Sequence, residues 1–169
     1  EATGVRYVQG HVDRIRAQEN CVEATGADGK KIMLTYDRLV LTTGSQVHRP
    51  DLPGLREHAH TIDQVDEAHA LEAHLSRLGQ QPDWAARNTV VVVGGGFTGI
   101  EIATELPERL RTALGADIQP RVIVVEQADA IGPDLGPGPR PVIEQALREQ
   151  GVQCRLGTAV TAIDADGVT

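Results

Sequence analysis

Aromatic side chains are scarce in this sequence: Tyr7, Tyr36, Trp84 and Phe97 are the only ones among 169 residues. Basic residues are outnumbered, with 16 Lys plus Arg against 24 Asp plus Glu and a formal net charge of −8. The first shortage leaves no stacking platform for bases and the second no footprint for a phosphate backbone, so both argue against nucleic acid as a partner. Cysteine is limited to Cys21 and Cys154, which match neither CxxC nor a metal-ligand spacing. Both are expected to be buried free thiols, since nothing in the composition points to an oxidising compartment. No stretch approaches the ~20 consecutive apolar residues of a membrane-spanning helix, and no signal-peptide pattern opens the chain. A soluble polypeptide is expected. It starts in strand-like alternation without an initiator Met and stops at "AIDADGVT", a hairpin turn whose second strand is missing, so an interior piece of a longer protein is expected.

What is present divides into two parts. Residues 5–41 read as short strands: Val5, Tyr7, Val12 and Ile15 give a broken alternation, "ATGADGKK" a hairpin loop, and "KIMLTYDRLVLTTGS" two apolar stretches running into a glycine. The next stretch, "QVHRPDLPGLREHAHTI", has two prolines and no period, which predicts a connector and a domain boundary near 50–60. Val65, Ala68, Leu71, Leu75 and Leu78 then recur at helical spacing, with Asp63 as the expected N-cap and Gly79 as the stop. The run from Thr89 to Val93 reads as a strand buried on both faces. After it, Ile100, Ala103, Leu106, Leu110 and Leu114 share one helical stripe that Pro107 is expected to kink. "RVIVVEQ" is a second buried strand, "VIEQALREQG" a helix and "VQCRLGTAVTAID" strand-like again. This β-α-β-α-β order predicts an α/β Rossmann-like domain with a parallel sheet and right-handed crossovers.

Within that order the run Gly94, Gly95, Gly96, Phe97, Thr98, Gly99 follows a strand and opens a helix, and Glu126 ends the next strand. A GxGxxG in this context is a dinucleotide fingerprint. Gly94 makes the tight turn, Gly96 lets the backbone approach a pyrophosphate and Gly99 permits close helix-to-sheet packing. The phosphates would meet free N–H groups and the positive end of the helix dipole. Glu126 is suited to accept hydrogen bonds from the adenosine ribose hydroxyls. It would repel a 2′-phosphate, and "QADA" after it has no Arg or Lys to receive one, so NADH is the expected cofactor. The gap from Gly99 to Glu126 exceeds the ~20 residues usual for the motif, and a long helix plus "GADIQPR" accounts for it. The plainer alternative is an ordinary strand-to-helix turn beside a solvated strand end.

Two stretches, "YDRLVLTTGSQVHRPDLPG" and "VVVGGGFTGIEIATEL", occur in this order. Together they resemble the FAD-dependent pyridine nucleotide-disulfide oxidoreductase superfamily, and the second is most similar to type II NADH:quinone oxidoreductases. The resemblance implies a β-rich piece of an FAD-binding domain over 1–50, a connector over 51–62 and a C-terminally incomplete NADH-binding Rossmann domain over 63–169. It implies that Thr43 and Gly44 end a strand that approaches FAD, and that NADH gives hydride to FAD, from which electrons pass to a quinone. By the same resemblance Glu101 is the catalytic candidate, facing the nicotinamide and flavin rings to position the amide or relay a proton. Its plain alternative is an acid in the first helical turn, where the dipole contributes ~0.3–1 kcal/mol.

Three family parts lie outside these residues: an N-terminal GxGxxG for FAD, a C-terminal Gly-Asp segment for the flavin, and a C-terminal quinone-site and membrane-anchor region. The chain alone is therefore expected to bind FAD poorly and not to turn over. A cytoplasmic location is expected, with the membrane surface reached only through that C-terminal region. A thioredoxin-reductase-like CxxC would fall after residue 120, where only Cys154 occurs. Other readings are a soluble flavoprotein NADH reductase with a protein or disulfide acceptor, and a non-catalytic NADH-sensing module. His58 and His60, and His69 and His74, have no third ligand arranged with them, so no metal is expected. "GPGPRP" reads as a loop rather than a peptide ligand.

Overall fold

The structure, a computed structural model, describes residues 4–44 and 49–169. Residues 45–48 of the first resemblance stretch, and residues 1–3, lie outside that description. The chain forms two compact units, Glu1–Ser45 and Gln46–Thr169.

The first unit is an antiparallel meander of β1 (Gly10–Arg16), β2 (Cys21–Gly26) and β3 (Lys31–Thr35), in that spatial order. The predicted hairpin loop forms between β2 and β3: Gly29 donates to the Gly26 carbonyl at 2.9 Å and has φ +77°, a left-handed conformation that suits glycine. Central strand β2 buries Cys21, Val22 and Ala24. Asp13 accepts from the Thr25 hydroxyl at 2.6 Å and from Lys31 Nζ at 3.0 Å, which holds its carboxyl below the ordinary range. One expectation differs. Residues 37–44 form no strand, and Val40 and Leu41 are 79% and 62% exposed. A strand exists only by pairing its backbone groups, and no described residue pairs with this segment.

The second unit carries a parallel sheet, β4 (Thr89–Val93), β5 (Arg121–Val125) and β6 (Gln153–Arg155), in that order. Val93 pairs with Val125 and Val125 with Arg155, so the three strands end level on one edge, while β6 starts only opposite Ile123. Helices α2 (Val65–Arg77), α3 (Phe97–Leu114) and α4 (Arg140–Glu149) supply the crossover and covering layers. Leu75 and Leu78 of the α2 segment, Ala103, Leu106 and Leu110 of α3, and Leu147 of α4 pack with Val122 and Val124 in one cluster. At ~1.5–3 kcal/mol per buried large side chain, this cluster is what holds the helices to the sheet. Of the stripe predicted for α3, Ala103, Leu106 and Leu110 are buried and Ile100 and Leu114 are partly buried against the same cluster.

Three local expectations are corrected. The N-cap of α2 is Gln64 rather than Asp63: Glu67 reaches back to accept the Gln64 N–H at 3.2 Å, and Asp63 accepts from the Gln64 side chain. Strand β4 is half-buried rather than buried on both faces, with Val93 51% exposed. Val90 and Val92 pack on the helical cluster, but β4 has a single described neighbour, β5. Helix α3 runs on through the buried Pro107 to Leu114. The missing proline N–H removes one bond of the ladder, which the packing of Leu106 and Leu110 outweighs.

The expected connector contains α1 (Leu55–His58) and docks on the hairpin at the end of the chain: Ile163 N–H donates to the Pro53 carbonyl at 2.9 Å. That hairpin has the start of its second strand, since Ile163 bridges Val168 and Asp164 Oδ1 accepts from the N–H groups of Asp166 and Gly167. His60 stacks against His74 of α2 at 4.7 Å between ring centroids. Burial, the neighbouring His60 and Arg77 together push the His74 imidazole below its ordinary value of 6.5. The fold favours neutral His74, so its contribution to stability is complete above pH 6.5 and is lost as pH falls through the lowered value. Thermal melts are expected to show this acid loss, and His74→Gln to flatten it.

Candidate nucleotide-binding site

The C-terminal edge of a parallel sheet is where successive strand-to-helix turns converge, and the predicted motif lies there. Strand β4 ends at Val93 and the chain turns at Gly94, whose φ of +104° is the conformation an L side chain resists. Gly94 N–H donates to the Val125 carbonyl at 2.8 Å, so the turn is tied to the end of β5. Gly96 is the N-cap residue of α3, and no side chain caps the helix. The first N–H groups of an α-helix have no partner within it. A Cβ on Gly96 would meet nothing within 4 Å, so the turn is open on that side. Phe97 is 63% exposed and Thr98 is exposed beside it.

Gly99 does different work. A Cβ there would lie 2.0 Å from the Gly94 carbonyl oxygen, so the first turn of α3 sits directly on the glycine turn.

Glu126 follows β5 and is 7% exposed. Its carboxylate is already engaged: Oε2 accepts the Gly95 N–H at 2.6 Å and Oε1 the Ala128 N–H at 2.7 Å. Charge-assisted bonds of this length are among the stronger ones in proteins. The structure thus joins Gly94, Gly95, Gly96, Phe97, Thr98, Gly99 and Glu126 at one sheet edge.

Glu101 is exposed and opens the second turn of α3, so the first turn contains no acid and the plain alternative of a first-turn acid does not apply to it. Thr43 and Gly44 belong to the first unit, where both are exposed and outside any strand. Cys21 is buried and Cys154 exposed, and both are free, which corrects the expectation of two buried thiols. Partial burial and Glu144 push the Cys154 thiol up, away from the thiolate that redox exchange requires.

Sequence reasoning missed the loop after β5. Gly132 donates to the Gly95 carbonyl at 2.8 Å, and Ile131, 1% exposed, packs beneath Gly95. The signal available was Gly132 inside a proline and glycine loop, where its φ of +58° now has a purpose. It also missed the pairing of Arg49 with Glu67, which lines a cavity of about 460 Å³ with Arg56, His60 and Thr61. None of the predicted site residues lines that cavity. Among the described residues, no group of three His, Cys, Asp or Glu side chains is placed to hold a metal.

Comparison with known proteins agrees with this architecture. An NADH dehydrogenase-like protein of Mycobacterium tuberculosis is 46% identical over 156 residues, which cover 88% of this chain and 39% of the relative. The type II NADH:quinone oxidoreductase of the same organism is 29% identical over 178 residues, covering 98% of this chain and 38% of the relative. The chain therefore spans well under half the length of these relatives. Among solved structures, NDH2 from Plasmodium falciparum in complex with NADH has the same fold, with a TM-score of 0.63 at 16% identity, covering 94% of this chain and 35% of that one. The pyridine nucleotide-disulphide oxidoreductase family matches residues 1–169 without a gap at either end, and the chain belongs to it.

Proposed function

We propose that this chain is the NADH-binding part of an FAD-dependent NADH dehydrogenase whose electrons pass to a quinone. The observation that carries the reading is the uncapped start of α3 behind an open Gly96, with the buried carboxylate of Glu126 at the next strand end. The N–H groups at the start of α3 bind the pyrophosphate, and Glu126 takes the adenosine ribose hydroxyls and disfavours a 2′-phosphate. Phe97 and Thr98 border the bound dinucleotide. Glu101, one turn further along the helix, positions the nicotinamide or moves a proton beside it. Orientation is what these residues contribute to hydride transfer.

Thr43 and Gly44, the residues this reading sets beside FAD, are exposed and outside any strand. Bound FAD would supply the two-electron acceptor. The quinone reading draws on the M. tuberculosis relative named as a quinone oxidoreductase. Among the described residues no helix is long and apolar enough to cross a membrane.

The test is the visible spectrum of the full-length protein before and after anaerobic NADH. Flavin bands that bleach are expected. A colourless protein that retains no added FAD would overturn the reading and leave an NADH-sensing module. A second result separates ligand binding from folding. Gly96→Ala places its Cβ in open space at φ −75°, ψ −173°, so it should cost no more than ~1 kcal/mol of stability as a poorer cap. It should nevertheless weaken NADH by ~10-fold, or ~1.4 kcal/mol, by obstructing the close approach. Calorimetric titration beside a denaturation curve checks both.

A further inference from the structure

Gly95 stands where three segments meet. Its N–H is held by Glu126 Oε2 at 2.6 Å and its carbonyl by the Gly132 N–H at 2.8 Å. A Cβ on it would lie 2.6 Å from Ile131 Cδ1 and 3.1 Å from Glu126 Cβ, so Ile131 and Glu126 close around the position and leave no space for a side chain. Glu126 is itself fixed: its N–H donates to the Arg155 carbonyl at 2.8 Å, its carbonyl accepts from Thr158 N–H at 3.0 Å, and its second oxygen holds Ala128. A run of three glycines has wide conformational freedom, and these contacts remove it.

Each carboxylate oxygen has two lone pairs, and each spends one on a backbone N–H. One per oxygen remains for a ligand. We infer that Glu126 is a positioning residue as well as a ribose ligand: with Ile131 and Gly132 it clamps the Gly95 peptide and so aims the N–H groups at the start of α3. The ribose end and the pyrophosphate end of the dinucleotide then share one support. This inference rests on the nucleotide reading above.

A chemical double cycle on the full-length protein tests it. NADH and its analogue lacking both adenosine ribose hydroxyls are titrated into the unsubstituted protein and into Glu126→Gln, which keeps the shape but loses the charge and one acceptor. A residue acting only through the hydroxyls leaves the analogue's affinity unchanged. The clamp predicts that the variant weakens the analogue ~10-fold and NADH by more. Gly132→Ala keeps the N–H that holds the same peptide from its carbonyl side but strains its φ of +58° and sets a Cβ 2.7 Å from Leu135 Cδ1, so by loosening that hold it is expected to weaken both ligands by equal factors, and it serves should Glu126→Gln not fold. Equal binding of the analogue to variant and unsubstituted protein overturns the inference and leaves the nucleotide reading standing. Failure of the unsubstituted protein to bind NADH overturns that reading and the inference with it.

Discussion

Gly99→Ala is expected to lose ~2–3 kcal/mol of stability and at least ~10-fold in NADH affinity together. Alanine is the better helix former by ~1 kcal/mol, so on propensity alone the change should stabilise α3. The tertiary contact reverses the sign. The new Cβ would stand 2.0 Å from the Gly94 carbonyl oxygen and 3.0 Å from its carbon. Neither is the free end of a side chain, so the helix and the turn must separate by ~1 Å or more before the contact is tolerable. The turn that separates is the one proposed to face the pyrophosphate, and displacement on that scale is costly at a site built on orientation. Denaturant midpoints and NADH titration check the pair of effects. Unchanged stability would mean that the helix does not rest on the turn as described. Gly96→Ala, three residues earlier, should lose binding with little loss of fold.

Glu126→Arg is expected to reduce stability by ~2–4 kcal/mol and to move the NADPH-to-NADH preference by at least ~10-fold toward NADPH. The stability cost follows from what the carboxylate holds. Its removal leaves the Gly95 and Ala128 N–H groups without their acceptor in a position only 7% exposed, and installs a cation there. The preference changes because a guanidinium attracts a 2′-phosphate where a carboxylate repels it. Absolute affinity for both dinucleotides should fall, so the ratio of dissociation constants is the quantity to measure. An unchanged ratio removes Glu126 from the ribose.

The legible parts of the site were those written in consecutive residues. The GxGxxG, the strand before it and the helix after it are all local, and a period of four or fewer residues reveals them. Glu126 was legible because a strand end is predictable, but its role as a brace was not: its partner Gly95 is 31 positions away, and nothing in either segment names the other. Gly132 and Ile131 were hidden for the same reason. The N-cap moved from Asp63 to Gln64 because both suit the position, and the reach of Glu67 decided between them.

Composition and pattern by themselves determined the β-rich first part, the parallel βαβ unit, the buried stripe of α3 and the glycine turn, since each follows from side-chain periodicity along an element, from the order of elements or from a motif of consecutive residues. The tertiary structure alone decided which glycine is needed for what: Gly99 for a helix resting on a carbonyl, Gly95 for a crowded clamp, and Gly96 for an open side. It also decided that residues 37–44, strand-like in sequence, form no strand here. The reason is the same in both cases. A steric clash or a strand pairing depends on what the remote part of the chain brings alongside, and that partner has no trace in the local sequence.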